Sequence, residues 1–332
     1  TAPSLANSAK LIEGAMPNTY SLKERKTLHE LLESYKTPAP RYTSYPIVPF
    51  WKDMDESEYF RALATLTTES APISLYIHLP FCKTMCCYCG CNAIAGKPSS
   101  MVDTYLDALE VEMDTVSSRL RGATVQKIHL GGGTPTYLTP SQLERLSTKL
   151  QNQFEICEDA ELSVEVEPTV VSPLHFRELA RAGFRRLSLG VQDLDADVQA
   201  KVRRTCTAED LARVMDTARN AGFTSINADL MYGLPGQTQE TIGKTLEFLI
   251  ESAIDRIALF GYAHIPSLKP HQRLLEQYDR PGPHERLDLF IAARDTLVTH
   301  GYIPVGFDHF SHPNDSLAKA SLNGTLHRNF QG

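Results

Sequence analysis

From about residue 72 onward the apolar positions follow two alternating periods. Stretches with every second residue apolar give way to stretches with an apolar residue every third or fourth. These are the periods of a half-buried strand and of an amphipathic helix. ISLYIHL (73–79), KIHL (127–130), ELSVEVE (161–167), RLSLGVQ (186–192), SINADLMYG (225–233) and RIALFGYAH (256–264) are predicted strands, and YIPVGFDHF (302–310) would be a last one. Between the first two, MVDTYLDALEVEMDTVSSRL (101–120) places Leu106, Leu109, Met113 and Val116 on one helical face. Thr139 caps a helix with Pro140 in its first turn, where a missing N–H costs nothing. A helix from about Ser172 ends near Gly183, another in two pieces runs to Gly222, one starts at Thr238, and HERLDLFIAARDTLVTHG (284–301) is a further one. Strand then helix, repeated about six times, dictates a parallel α/β sheet with right-handed crossovers, either doubly wound or barrel-like. In both forms functional groups collect at the C-terminal ends of the strands.

Before residue 72 the pattern is weaker. Ser21 and Glu24 have capping-box spacing ahead of Leu28, Leu31 and Leu32, which predicts a short helix. PAPRYTSYP (38–46) carries three prolines in nine residues and is expected to be an extended arm. With 332 residues, 42% of them hydrophobic, the chain has material for a large core. It shows no secretory signal and no apolar run near 18 residues, so the expectation is a soluble cytoplasmic protein. A net charge of -7 disfavours nonspecific partners such as nucleic acid or an anionic membrane.

Five of the seven cysteines sit within FCKTMCCYCGCN (81–92): Cys82, Cys86, Cys87, Cys89 and Cys91. A chain with a large core in a reducing compartment has little use for a disulfide framework, so this density points to metal or redox chemistry. The other two, Cys157 and Cys206, read as small packing residues. Cys82, Cys86 and Cys89 have the spacing CxxxCxxC. Zinc sites draw on paired CxxC units totalling four ligands, and no second pair exists here. Iron–sulfur clusters also normally take four thiolates. Three on one short loop hold three irons of a [4Fe-4S] cube and leave the fourth open to chelate a small molecule. A structural zinc, unmetallated thiols, and Cys91 as a competing ligand remain the alternatives at this level. GGGTP (131–135) follows a predicted strand, and its glycines let a ligand approach backbone N–H groups closely.

Taken together these segments resemble a known family. YIHLPFCKTMCCYCGCN, with an aromatic before the last ligand, is similar to the radical S-adenosylmethionine (SAM) superfamily. PRYTSYP, CGCN, GGGTPTYL, VEVEP, RLSLGVQD, DLMYGLPGQT, YAHIP, FDHF and HRNFQG, in that order from residue 40 to 332, resemble the oxygen-independent coproporphyrinogen III oxidases (dehydrogenases). The resemblance implies a partial (β/α)6 radical-SAM barrel over 72–310. A helix and substrate-covering extended arm would span 1–71, and 311–332 would begin the connection to a C-terminal helical domain absent from this chain, which ends at Gly332. It implies a [4Fe-4S] cluster on Cys82, Cys86 and Cys89 and two SAM molecules. Tyr76, Gly132 and Glu165 match the first SAM site. Tyr88, Gly133, Thr134, Gln192, Arg204, Asp229 and Ala263 match the second, and Phe330 and Gln331 a further adenosyl contact. Arg41, in the arm, would reach a substrate propionate or be a linker charge. The other readings are a solvated charge for Glu165, a cap or turn for Asp229, and a surface run with Lys201 and Arg203 for Arg204. The implied activity is oxidative decarboxylation of two propionates of coproporphyrinogen III to vinyl groups, giving protoporphyrinogen IX in haem biosynthesis. A flavodoxin or ferredoxin would be the electron donor, and the chain would act as a monomer. Two relatives with other activities share features: a radical SAM haem methyltransferase that opens the ring, and a haem-binding chaperone on the same barrel. Two departures from the family pattern are Tyr88, where Phe is usual, and the extra thiol of Cys87.

Overall fold

The computed structural model describes residues 19–35, 50–66, 70, 72–120 and 122–327. In chain order the strands are β1 (Ile73–Leu79), β2 (Phe81–Cys82), β3 (Ile94–Ala95), β4 (Val125–Gly132), β5 (Ile156–Val166), β6 (Arg186–Gln192), β7 (Ser225–Tyr232), β8 (Arg256–Gly261), β9 (Ile303–Val305) and β10 (His309–Ser311). The main sheet runs β1-β4-β5-β6-β7-β8-β10-β9. Its first six strands are parallel, and each pairs with the next in sequence. A doubly wound sheet reverses its strand order at a switch point. This one never does, so right-handed crossovers place the helices on one face. The barrel form is therefore the one adopted, open between the edge strands β1 and β9.

Burial alternates with the pleat. Along β6, Leu187, Leu189 and Val191 are buried, while Arg186, Ser188, Gly190 and Gln192 between them are only partly so. Leu162, Val164 and Val166 of β5 and Ile226, Ala228 and Leu230 of β7 join the same core, as do Leu143 and Leu146 of the helix Pro140–Gln153 and Leu211 of the helix Ala208–Asn220. The apolar face of each strand thus meets the helices. The opposite face, carrying Tyr76, His129, Glu165, Ser188, Asn227 and Asp229, lines the barrel interior. Each buried Leu or Ile stabilises the shell by about 1.5–3 kcal/mol, which leaves the inner face free to be polar.

The caps follow the sequence closely. Ser21 accepts from Glu24 N–H and the Glu24 carboxylate accepts from Ser21 N–H at 2.8 Å. Thr139 and Gln142 form the same box ahead of Pro140–Gln153. The two-piece helix is Ala196–Val202 and Ala208–Asn220, split where Arg203 turns left-handed at φ 61°. The expected last strand over 302–310 is a correction. It is a hairpin in which β10 pairs antiparallel with both β9 and β8, broken at Gly306 with φ 66°. Apolar alternation carries no mark of strand direction, so the sequence pattern reads straight through the turn. The PRYTSYP arm with Arg41 lies outside the described residues, as do Phe330 and Gln331.

Candidate active site

The C-terminal end of β1 feeds directly into the cysteine loop. Gly133 N–H donates to Leu79 O at 2.9 Å and Thr134 N–H to Phe81 O at 2.8 Å, which stitches the loop's entry to the Gly-rich turn after β4. Gly96 N–H donates to Cys82 O at 3.0 Å and closes the loop at its exit. The glycines are demanded by contact. A Cβ on Gly133 would lie 2.8 Å from Phe81 O, and one on Gly132, at φ 117°, would lie 2.6 Å from the His78 ring. No other residue type fits such an approach.

The loop separates its five thiols by environment. Cys82, Cys86 and Cys89 are half-buried and Cys91 is exposed. Cys87 is buried with Tyr88, Val198, Val202 and Leu234 and serves packing. Cys82 Sγ lies 3.5 Å from Thr134 Oγ1, and Arg204 Nη1 donates to Cys86 Sγ at 3.7 Å. Burial pushes the Cys82 thiol up. Cys89 is held down to about 6, chiefly by its hydrogen bonding with Cys91, with the charges of His271 and Lys269 adding to it. Among the described residues no three His, Cys, Asp or Glu side chains converge as a single metal ion requires. A cube, which takes one iron per thiolate, needs no such convergence. Three soft thiols with no imidazole or carboxylate among them fit an iron–sulfur cluster.

Tyr76, Gly132 and Glu165 come together on the inner face of β1, β4 and β5. Gly132 N–H donates to Glu165 Oε2 at 3.0 Å, and His129 Nε2 bonds Glu165 Oε1 at 3.3 Å. Tyr76 stacks on His129 with ring centroids 5.9 Å apart, and its hydroxyl bonds His78 Nδ1 at 3.0 Å. Glu165 is therefore anchored in place by two donors while its side chain stays 39% exposed at the mouth. Two of its carboxylate lone pairs are occupied, and the others remain open to a ligand hydroxyl.

Arg204 turns inward while its neighbour Arg203 stays exposed. Its guanidinium pairs with Glu167 at 2.6 Å, donates to Tyr88 Oη at 3.3 Å, and donates to Gly190 O. The surface-run reading is thus corrected: Arg204 is an internal brace between the cysteine loop, β5 and β6, and only its buried Nε lacks a partner. Gln192 stands beyond Gly190 in a left-handed turn, φ 68°. Asp229, in strand β7 and not at a cap or turn, accepts from Ser188 Oγ and Asn227 Nδ2, both at 2.7 Å. Burial, reinforced by the charge of Glu165, raises its carboxyl to about 6. Ala263, exposed after β8, offers its carbonyl to Gln272 at 3.2 Å.

Several partners escape sequence reasoning. Glu167 was legible in principle as the acidic residue that follows β5, two positions beyond Glu165. His129, Ser188 and Asn227 follow from register alone: Glu165 stands opposite Ser188, and Ser188 opposite Asn227. Gln272 carries no local signal.

A parallel open barrel with three half-buried thiols and a glycine turn at the C-terminal ends of its first strands defines a class. The family model that matches residues 76–249, more than half of the chain, is the radical SAM superfamily. The oxygen-independent coproporphyrinogen III oxidase of Escherichia coli (strain K12) is 42% identical over 303 residues, covering 91% of this chain and 66% of that protein. The enzyme of the same name from Paracoccus denitrificans is 37% identical, covering 93% and 69%. The solved structure of the E. coli coproporphyrinogen III oxidase (HemN), described as a radical SAM enzyme, superposes with a TM-score of 0.84 at 41% identity, covering 91% of this chain and 68% of that one. The chain belongs to the oxygen-independent coproporphyrinogen III oxidase family of the radical SAM superfamily. It spans 66% of the length of the E. coli relative.

Proposed function

We propose that this chain forms the radical-generating and substrate-oxidising part of an oxygen-independent coproporphyrinogen III oxidase. The reaction converts two propionates of coproporphyrinogen III to vinyl groups and gives protoporphyrinogen IX, each propionate losing CO2, one hydrogen atom to the 5′-deoxyadenosyl radical and one electron to an external acceptor. The observation that supports this best is the pairing of a three-thiol loop with the glycine turn and anchored Glu165 at one barrel mouth. Cys82, Cys86 and Cys89 would hold a [4Fe-4S] cluster, and two SAM molecules would bind beside it. When bound, the cluster and SAM together would supply the 5′-deoxyadenosyl radical needed for hydrogen abstraction from a propionate side chain.

The chain's own residues bind and orient. Gly131, Gly132 and Gly133 let a SAM molecule lie against backbone, and Glu165 accepts from its hydroxyl groups. Asp229, with its raised pKa, offers a second polar anchor deeper in β7, and Tyr88 and Arg204 brace the loop beside it. The electron donor is of the flavodoxin or ferredoxin class, and the chain acts as a monomer. Among the described residues no helix is long and apolar enough to cross a membrane.

The test is anaerobic incubation of the protein with reductant, methyl-labelled SAM and coproporphyrinogen III, then separately with haem. The reading expects CO2 release, vinyl products and all label in methionine. Label in the tetrapyrrole, or SAM cleavage without CO2 release, would overturn it. A stoichiometric Soret shift with haem and no SAM turnover would favour a haem carrier.

A further inference from the structure

The cysteine loop is gripped by a distant segment that lies outside all of the motifs above. It consists of Lys269 and the 3-10 helix Pro270–Leu275 that follows it. Gln272 is wholly buried. Its Nε2 donates to Tyr88 O at 2.8 Å and to Ala263 O at 3.2 Å, while its Oε1 accepts from Ile265 N–H at 2.6 Å. His271 Nε2 bonds Cys89 O at 2.8 Å. Lys269 Nζ donates to Cys91 O at 2.7 Å and to Asn92 Oδ1 at 3.1 Å. The carbonyls of Tyr88, Cys89 and Cys91 therefore find partners on one short strap. In an irregular loop such carbonyls have no ladder to satisfy them. Without the strap they would turn to water and carry the Cys89 side chain with them. No ion pair to a carboxylate engages Lys269 among the described residues, so its charge is left to act on the loop.

We propose that Lys269, His271 and Gln272 are positioning residues for the iron–sulfur cluster, with the Lys269 ammonium also favouring the cluster's reduced state. The proposal rests on the reading of Cys82, Cys86 and Cys89 as its ligands. Gln272 and His271 fix the backbone that presents Cys89. Reduction adds one negative charge, taken from an external reductant such as dithionite, and a fixed cation nearby stabilises that added charge. The same Gln272 side chain holds Ala263, so the strap also sets the distance between the cluster loop and the turn after β8.

The test uses the whole chain reconstituted anaerobically, as wild type and as Lys269→Met, Lys269→Arg and Gln272→Met. Iron per chain, melting temperature, the midpoint potential from an EPR-monitored dithionite titration, and the rate of iron loss to a chelator are measured on each. Lys269→Met is expected to lower the reduced-to-oxidised ratio at the wild-type midpoint about tenfold, or about 59 mV for one electron. Lys269→Arg should restore it. Gln272→Met should lose iron about tenfold faster. A role confined to stability would move the melting temperature and leave the potential of Lys269→Met where it was. A wild-type chain that takes up no cluster would overturn the ligand assignment itself. A wild-type cluster with unchanged potential in Lys269→Met and unchanged iron loss in Gln272→Met would overturn this inference alone.

Discussion

The five thiols of residues 82–91 show how single side chains acquire different roles within one short loop. Cys82, Cys86 and Cys89 are half-buried at the mouth, whereas Cys87 packs against Val198 and Val202. Cys86→Ala is expected to abolish SAM cleavage and cluster signal. Cys87→Ala should keep the cluster and cost about 1 kcal/mol of stability through the small cavity it leaves; iron content and denaturant midpoints on both variants distinguish the cases. Asp229 carries a pH signature. Burial pushes its carboxyl up to about 6 in the folded protein, well above the ordinary aspartate range. For an acid whose folded pKa is raised, the stabilisation is complete below the unfolded value and is lost as pH rises through the folded one. Asp229→Asn should therefore raise the melting temperature more at pH 8 than at pH 4.5, while weakening ligand binding at the site. Equal shifts at the two pH values would show that Asp229 is not desolvated as described.

At the scale of elements, the turns after β6 and β7 are joined by a buried polar network. Gln237 Oε1 accepts from Gly233 and Leu234 N–H, at 2.7 and 3.3 Å, and its Nε2 donates to Asp193 Oδ2 at 2.6 Å and to Met231 O at 2.9 Å. Asp193 in turn accepts from Thr245 Oγ1 at 3.1 Å. Burial raises the Asp193 carboxyl, and these donors oppose the rise. The network fixes the residue after Gln192, whose left-handed backbone costs energy unless its neighbours enforce it. Gln237→Leu has nearly the same volume but strands several buried groups, so a loss of about 2–4 kcal/mol is expected, read by urea midpoints. Leu189→Ala, on the helix-facing side of β6, should cost about 2–5 kcal/mol without changing the affinity of the remaining folded protein for SAM. A cost below 1 kcal/mol for Gln237→Leu would mean that the two turns are held by something else.

For the whole molecule, the foot of the barrel is closed by charge. Asp315, the N-cap of the helix Ser316–Leu322, pairs with Arg256 at 2.6 Å and Arg186 at 3.6 Å, and Arg186 pairs with Glu161 at 3.0 Å. Burial pushes the Asp315 carboxyl up, yet the Arg256 hydrogen bond and the two guanidinium charges outweigh it and leave it below its ordinary value. A depressed carboxyl stabilises the fold above its unfolded pKa, and the contribution disappears as pH falls through the folded value. Asp315→Asn is thus expected to be less stable than wild type at pH 7, with the gap narrowing toward pH 3 in thermal melts. A gap that stays constant over that range would show that the carboxylate charge is not its source, since Asn caps a helix as well as Asp does.

The sequence by itself determined the elements and the chemistry. Periodicity located six parallel strands and most of their helices. Caps such as Ser21 and Thr139 are local, three residues wide, and so were readable. The CxxxCxxC spacing and the glycine turn pointed to metal chemistry, because ligand spacing also depends on near neighbours, and the family resemblance of the surrounding motifs named the cofactor class. The tertiary structure decided what depends on strand order and register. Strand–helix alternation alone allowed both an open barrel and a doubly wound sheet, which differ only in which strands become neighbours; the family resemblance implied the barrel, and the strand order bears it out. The tertiary structure turned 302–310 into a hairpin, because alternation is blind to direction. It drew Arg204 out of a basic run onto Glu167 and Tyr88, and it brought Gln272 across to Tyr88, 184 residues away. Contacts at such separations come from the packing of whole elements, and no local pattern in the chain encodes them.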